Sequence, residues 1–214
     1  MTIRPDIEGH TGYSLNLKLS HSEVRVIRAL VRAQWLERIK DLYPEHLEKF
    51  SSICMDQYHV LDHLIDHSQL FGQTEKRTLP ESAFHAIQLM PFMETLKKEF
   101  GPIQVWDYKN LGWENITWRI VRPGNVQDNS SLHVDQWFRD TLRHGVPPGK
   151  NHFQVWVPLF CETGISGLRV LPGSHTRQWK YRMEMIGGDI KPIFNEKVEE
   201  GSMKTHNLKP GQGV

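Results

Sequence analysis

The chain has 214 residues, 38% of them hydrophobic and 24% charged, which suits a protein that buries a core and is a length one domain commonly fills. Its 26 Lys+Arg balance 25 Asp+Glu, so no bulk charge draws it to nucleic acid or an anionic membrane. Cys54 and Cys161 lie far apart and form no C-x-x-C pair, which argues against a thiolate zinc or redox centre and predicts free thiols in a reducing compartment.

The opening "MTIRPDIEGHTGYSLNLKLS" holds no apolar core of signal-peptide length, and no later run approaches a membrane span. A cytoplasmic location is therefore expected. Within this opening, "YSLNLKLS" alternates polar and apolar residues and predicts a short edge strand. From there to about residue 100 the pattern is helical. Ser20 followed by Glu23 predicts a capping box, and Val24, Ile27, Leu30, Val31 and Trp35 recur at helical spacing to give one apolar face. Pro44, Pro80 and Pro91 punctuate shorter helices. In "YHVLDHLIDHSQLF", His59, His63 and His67 recur every four residues, a stripe on one helix with Asp62 and Asp66 alongside and Val60, Leu61, Leu64 and Ile65 on the buried side. The stripe reads as a solvated flank, with a surface metal site as the alternative.

The texture changes at Gly101. Short runs rich in β-branched and aromatic residues, "PIQVWDY", "NITWRIV", "HFQVWVPLF" and "LRVL", are separated by Pro, Gly, Asn and Ser, with no room for the crossover helices of a parallel sheet. The expected architecture is one mainly-β domain: a helical layer over residues 1–100 packed outside an antiparallel barrel or jelly roll over residues 101–214. On the strand "NITWRIV", Trp118, Ile120 and Arg122 share one face while Thr117, Arg119 and Val121 share the other.

The stretch "SSLHVDQWF" sets His133 and Asp135 two residues apart. On a strand both point the same way, presenting an imidazole nitrogen and a carboxylate oxygen side by side. Two histidines and a carboxylate make a non-haem iron(II) site. The pair is thus either a metal grip or two polar residues on an ordinary strand.

"SLHVDQWF", "QVWVPLF" and "SGLRVLPGSH", in this order, resemble the phytanoyl-CoA dioxygenase family of iron(II)- and 2-oxoglutarate-dependent oxygenases, over about residues 101–214. A looser likeness lies in "YSLNLKLSHSEVRVIRALV". The resemblance implies a double-stranded β-helix, Fe(II) held by His133 and Asp135, 2-oxoglutarate as co-substrate, and oxidation of a small molecule with loss of carbon dioxide. It matches Trp156 to an aromatic beside metal and co-substrate, where a core tryptophan is the alternative. It also draws polar co-substrate contacts from the strand bearing Thr117 and Arg119. An aspartate at 135, where halogenating relatives have a small residue, points to hydroxylation. Trp137, Phe138 and "GVPPGKNH" occupy the region where relatives meet their substrates.

The second histidine ligand and the arginine that anchors 2-oxoglutarate follow, in the family, a motif resembling "LKPGQGV", with which this sequence ends at Val214. The expectation is therefore either a fragment of an oxygenase, with a barrel edge open to aggregation, or a non-catalytic barrel that keeps a ligand pocket. His206 in "MKTHN" is the nearest stand-in ligand, with a strand or turn histidine as the competing reading. His175 in "PGSH" reads as a turn residue, and His144 and His152 as loop residues flanking "GVPPGK".

Overall fold

In the computed structural model, which describes residues 2–107, 110–142, 150–163, 165, 167–186 and 189–214, Ser20 and Glu23 form the reciprocal bonds that their spacing predicts. The Glu23 amide donates to Ser20 Oγ at 3.2 Å and the Ser20 amide donates to Glu23 Oε2 at 2.7 Å, pairing donors that a helix start leaves open. After the short α1 (Arg4–Glu8), this box opens α2 (His21–Leu42). The chain continues as α3 (Leu47–Ser51), α4 (Tyr58–Leu61), α5 (His67–Phe71), α6 (Glu81–Gln88) and α7 (Pro91–Phe100), with 3-10 turns between them. Pro91 is the first residue of α7 and Pro80 is the N-cap of α6, positions where a missing N–H leaves no helical bond unmade.

Contacts divide the chain into two compact units, Leu19–Asp128 and Met1–Lys18 with Asn129–Val214. In the first, α2 buries Val24, Ile27, Val31, Trp35 and Ile39 along one stripe. Trp35 meets the rings of Phe50 and Tyr58 edge-on, and Tyr58 meets Phe71 in the same way, the arrangement that aromatic quadrupoles favour. Residues 116–118 run extended beside residues 77–79: the Leu79 amide donates to the Ile116 carbonyl at 2.8 Å and the Trp118 amide to the Arg77 carbonyl at 3.0 Å. Gln34 ties this pair to α2, accepting from Trp118 Nε1 and donating to the Thr78 carbonyl, both at 2.6 Å.

The second unit contains α8 (Asp135–Leu142), β1 (Arg169–Val170), β2 (Tyr181–Ile186), β3 (Asp189–Phe194) and β4 (Lys204–Thr205). β2 and β3 form an antiparallel hairpin registered from Tyr181↔Phe194 to Ile186↔Asp189. Trp137 of α8 stacks on Tyr181 with centroids 4.7 Å apart. β1 pairs antiparallel with β4. The segment 211–214 bonds to two others: Gly213 donates to the Leu17 carbonyl, Gly211 to the Pro158 carbonyl, and Trp156 and Val214 exchange both backbone bonds at 2.9 Å.

This architecture corrects the mainly-β expectation. The structure is 44% helical and 9% strand, with its four short strands, among the described residues, in two two-stranded sheets and no double-stranded β-helix or jelly-roll barrel. Extended runs are present but few of them extend into ladders. "YSLNLKLS" contributes a single bridge, Lys18↔Gln212, and "NITWRIV" another, Thr78↔Thr117. Pro158 and Pro210 interrupt the segments that pair near the end of the sequence, and a proline cannot donate to a ladder. The single helix expected to carry His59, His63 and His67 is also corrected. A 3-10 turn over Asp62–Leu64 and an extended Ile65 separate α4 from α5, so the three histidines share no helix face. Val60, expected on the buried side, is 57% exposed.

Candidate metal centre

His133 and Asp135 come together at the start of a helix, not along a strand. The Trp137 amide donates to the Val134 carbonyl at 3.0 Å, winding the backbone so that Asp135 becomes the first residue of α8. A carboxylate is stabilised there by the helix dipole and by amides that lack intrahelical partners. His133 stands just ahead of the helix, and its Nε2 lies 3.3 Å from Asp135 Oδ1. Its other nitrogen, Nδ1, lies 2.6 Å from the Ser131 carbonyl oxygen. A carbonyl only accepts, so Nδ1 carries the proton of this bond, and in the neutral ring the Nε2 lone pair is the one aimed at the carboxylate. The rings of Phe138 and His133 meet at a right angle, with centroids 5.2 Å apart and planes at 89°.

Two acceptors 3.3 Å apart repel unless positive charge lies between them. A second ring proton or a metal ion supplies it. Nitrogen and oxygen ligands at about 2.1 Å on adjacent octahedral positions stand about 3 Å apart, so the observed spacing fits two neighbouring ligands of one ion. The bond from Nδ1 to a backbone carbonyl is the outer contact that metal-bound histidines use to fix ring orientation. Among the described residues no group of three or more His, Cys, Asp or Glu is placed to hold a metal, so the donor set seen is this pair.

The other residues singled out by sequence lie elsewhere. Trp156 is 36% exposed and is fixed through its backbone bonds with Val214. Thr117 belongs to the unit Leu19–Asp128, where its side chain is exposed beside buried Trp118, and the Arg119 guanidinium donates to the Asp128 carbonyl. His175 lies in a 3-10 turn after Gly173, whose φ of 73° is left-handed, as a turn residue should. His206 follows β4; it is buried, its ring packs against that of Tyr13 at a tilt of 55° with centroids 4.7 Å apart, and its Nε2 has no hydrogen-bond partner among the described residues. His152 is exposed, while His144 and most of "GVPPGK" lie outside the described residues.

Sequence reasoning missed a second polar cluster, in the unit Leu19–Asp128. Arg122 donates through Nε and NH2 to the two oxygens of Asp128, each at 2.8 Å, and through NH1 to Asp62 Oδ2 at 3.1 Å. Nearby, the Tyr58 hydroxyl and His67 Nδ1 are 2.9 Å apart. Burial pushes the Tyr58 hydroxyl well above the ordinary phenol value. Burial, then the Arg122 charge, pushes the His67 imidazole below its ordinary value, against the pull of Asp128 and Asp62. The available signal was "RIVRPGNVQD", in which Arg122 and Asp128 flank a Pro-Gly turn. The Arg122 guanidinium spends Nε, NH1 and NH2 on Asp128 and Asp62, which marks that part of the cluster as a structural tie.

No helix among the described residues is long and apolar enough to cross a membrane. Neither cysteine is in a disulfide. Comparison of the chain with protein-family models, with curated proteins and with solved structures finds no match.

Proposed function

We propose that His133 and Asp135 are ligands of iron(II) and that the chain carries the metal-binding part of a 2-oxoglutarate-dependent oxygenase acting on a small molecule. The observation that carries this reading is the 3.3 Å approach of His133 Nε2 to Asp135 Oδ1 with Nδ1 committed to the Ser131 carbonyl. The ordered motifs "SLHVDQWF", "QVWVPLF" and "SGLRVLPGSH", with their likeness to the phytanoyl-CoA dioxygenase family, support the choice of iron and 2-oxoglutarate over other metal chemistry. The reading rests on the pair and the motifs; the double-stranded β-helix that the resemblance also implies is not among the described residues. Two cysteines outside any disulfide support a cytoplasmic location.

Iron(II) with chelated 2-oxoglutarate supplies, with oxygen, the oxidising power for hydroxylating a C–H bond while 2-oxoglutarate loses carbon dioxide. His133 and Asp135 would hold the ion through one nitrogen and one oxygen. Halogenating relatives of the family that the motifs resemble have a small residue where this chain has Asp135, which supports hydroxylation. Asp135 is also held by the first turn of α8, so its orientation follows the helix and not a mobile loop.

Anaerobic titration with iron(II) and 2-oxoglutarate tests the reading. The charge-transfer absorption of the chelate is expected in the wild-type chain, and its loss is expected in His133→Ala and Asp135→Ala. A wild-type chain that binds no iron(II) would reduce the pair to an ion pair at a helix start and remove the reading.

A further inference from the structure

We propose that Phe138 is the positioning residue of His133: its ring, set perpendicular to the imidazole, holds it in the rotamer and tautomer that aim Nε2 at Asp135. The inference builds on the reading of this pair as metal ligands and concerns what keeps the imidazole ready for the ion. Phe138 lies three residues after Asp135, in the first turn of α8, so the helix that sets the carboxylate also sets the ring beside the imidazole. The rings meet edge-on, with centroids 5.2 Å apart and planes at 89°, a directional contact and not mere filling of space.

The imidazole needs such a wall. Rotation of the ring about its bond to Cβ is a soft, roughly two-fold torsion, and a half-turn would put carbons where Nδ1 and Nε2 now stand. The bond to the Ser131 carbonyl opposes that half-turn, but the side chain of His133 is 26% exposed, so water competes for the same donor. A flipped ring would turn Nε2 away from Asp135. The Ser131 carbonyl and the Phe138 ring both bear on this torsion, and of the two only Phe138 acts through a side chain that can be exchanged without altering backbone.

The test uses the full chain and reads the tautomer before any metal is added. Side-chain nitrogen NMR at mildly alkaline pH should show wild-type His133 mainly as the Nδ1–H form. Phe138→Leu, which keeps bulk but loses the ring, should mix the two tautomers, and Phe138→Tyr should restore the wild-type form. Titration with cobalt(II), a spectroscopic stand-in for iron(II), should show binding about tenfold weaker in Phe138→Leu and recovered in Phe138→Tyr. Leucine that preserves both the tautomer and the cobalt affinity overturns the proposal, as does tyrosine that fails to restore the tautomer. Failure of the wild-type chain to bind cobalt would count against the metal reading alone, because the tautomer ratio is measured without metal and decides the role of Phe138 by itself.

Discussion

The carboxylate of Glu23 accepts the backbone amide of Phe92 at 2.8 Å, a contact that spans 69 residues of sequence. Its other oxygen takes the amide and hydroxyl of Ser20, each at 2.7 Å. One buried carboxylate thus satisfies the opening turns of both α2 and α7. Burial alone would raise its pKa, but the bonds from Ser20 and Phe92 outweigh that and hold it below the ordinary value of 4.5. A depressed carboxylate contributes stability that is present above the unfolded value and is lost as pH falls through the folded one. Glu23→Gln is expected to cost about 2 kcal/mol at neutral pH and to flatten the loss of stability on acidification below about pH 4.5. Urea unfolding at neutral and acid pH checks both, and equal wild-type and variant midpoints at pH 7 would refute the shared cap.

Arg122 and Asp128 tie down the turn between them. Only 5% of the Asp128 side chain and 17% of the Arg122 side chain is exposed, and Asp128 Oδ2 also accepts the Arg122 amide at 2.9 Å. Burial would raise the Asp128 carboxyl, but the bonds and charge of Arg122 hold it below its ordinary value. Asp128→Ala leaves a guanidinium and an amide without these acceptors and is expected to destabilise by about 3–5 kcal/mol. The double substitution Arg122→Met with Asp128→Leu is expected to cost less than the two single changes added together, because neither leaves a buried charge behind. Denaturant unfolding of the three variants measures that coupling, and strict additivity would sink it.

Local signals in the sequence carried over to the structure, and distant ones did not. The Ser20–Glu23 box and the stripe Val24, Ile27, Val31 and Trp35 depend on residues within a few turns of one another, so spacing alone specifies them. "QVWVPLF" reads as a strand, yet its pairing through Trp156 depends on Val214, and β preference has meaning only beside a partner. The His133–Asp135 approach was legible as proximity but not in its cause, since a two-residue spacing brings side chains together on a strand and also across the start of α8. The bond between Arg122 and Asp62 spans 60 residues and has no local signature.

His206 offers a test of how a buried polar atom weighs on stability. Its ring packs against that of Tyr13, its amide donates to the Leu168 carbonyl at 3.1 Å, and its Nε2 is buried without a partner among the described residues. Gly167 lets the two backbones approach there, since a Cβ at that position would overlap the His206 carbonyl oxygen. Burial, then the charge of Lys204, pushes the His206 imidazole below its ordinary value of 6.5. The folded state therefore takes up its proton at lower pH than the unfolded chain does. The stability tied to the neutral ring is complete above about pH 6.5 and falls away as the solution is acidified toward the folded value. His206→Phe keeps a ring against Tyr13 while removing both the unpaired nitrogen and the titration. It is expected to stabilise by about 1 kcal/mol at neutral pH and by more at pH 5 to 6, a range taken from the ordinary histidine value of about 6.5. Urea unfolding across that range reads the result: a variant less stable than wild type at every pH would show that Nε2 is satisfied in solution and that the imidazole is favourable where it stands.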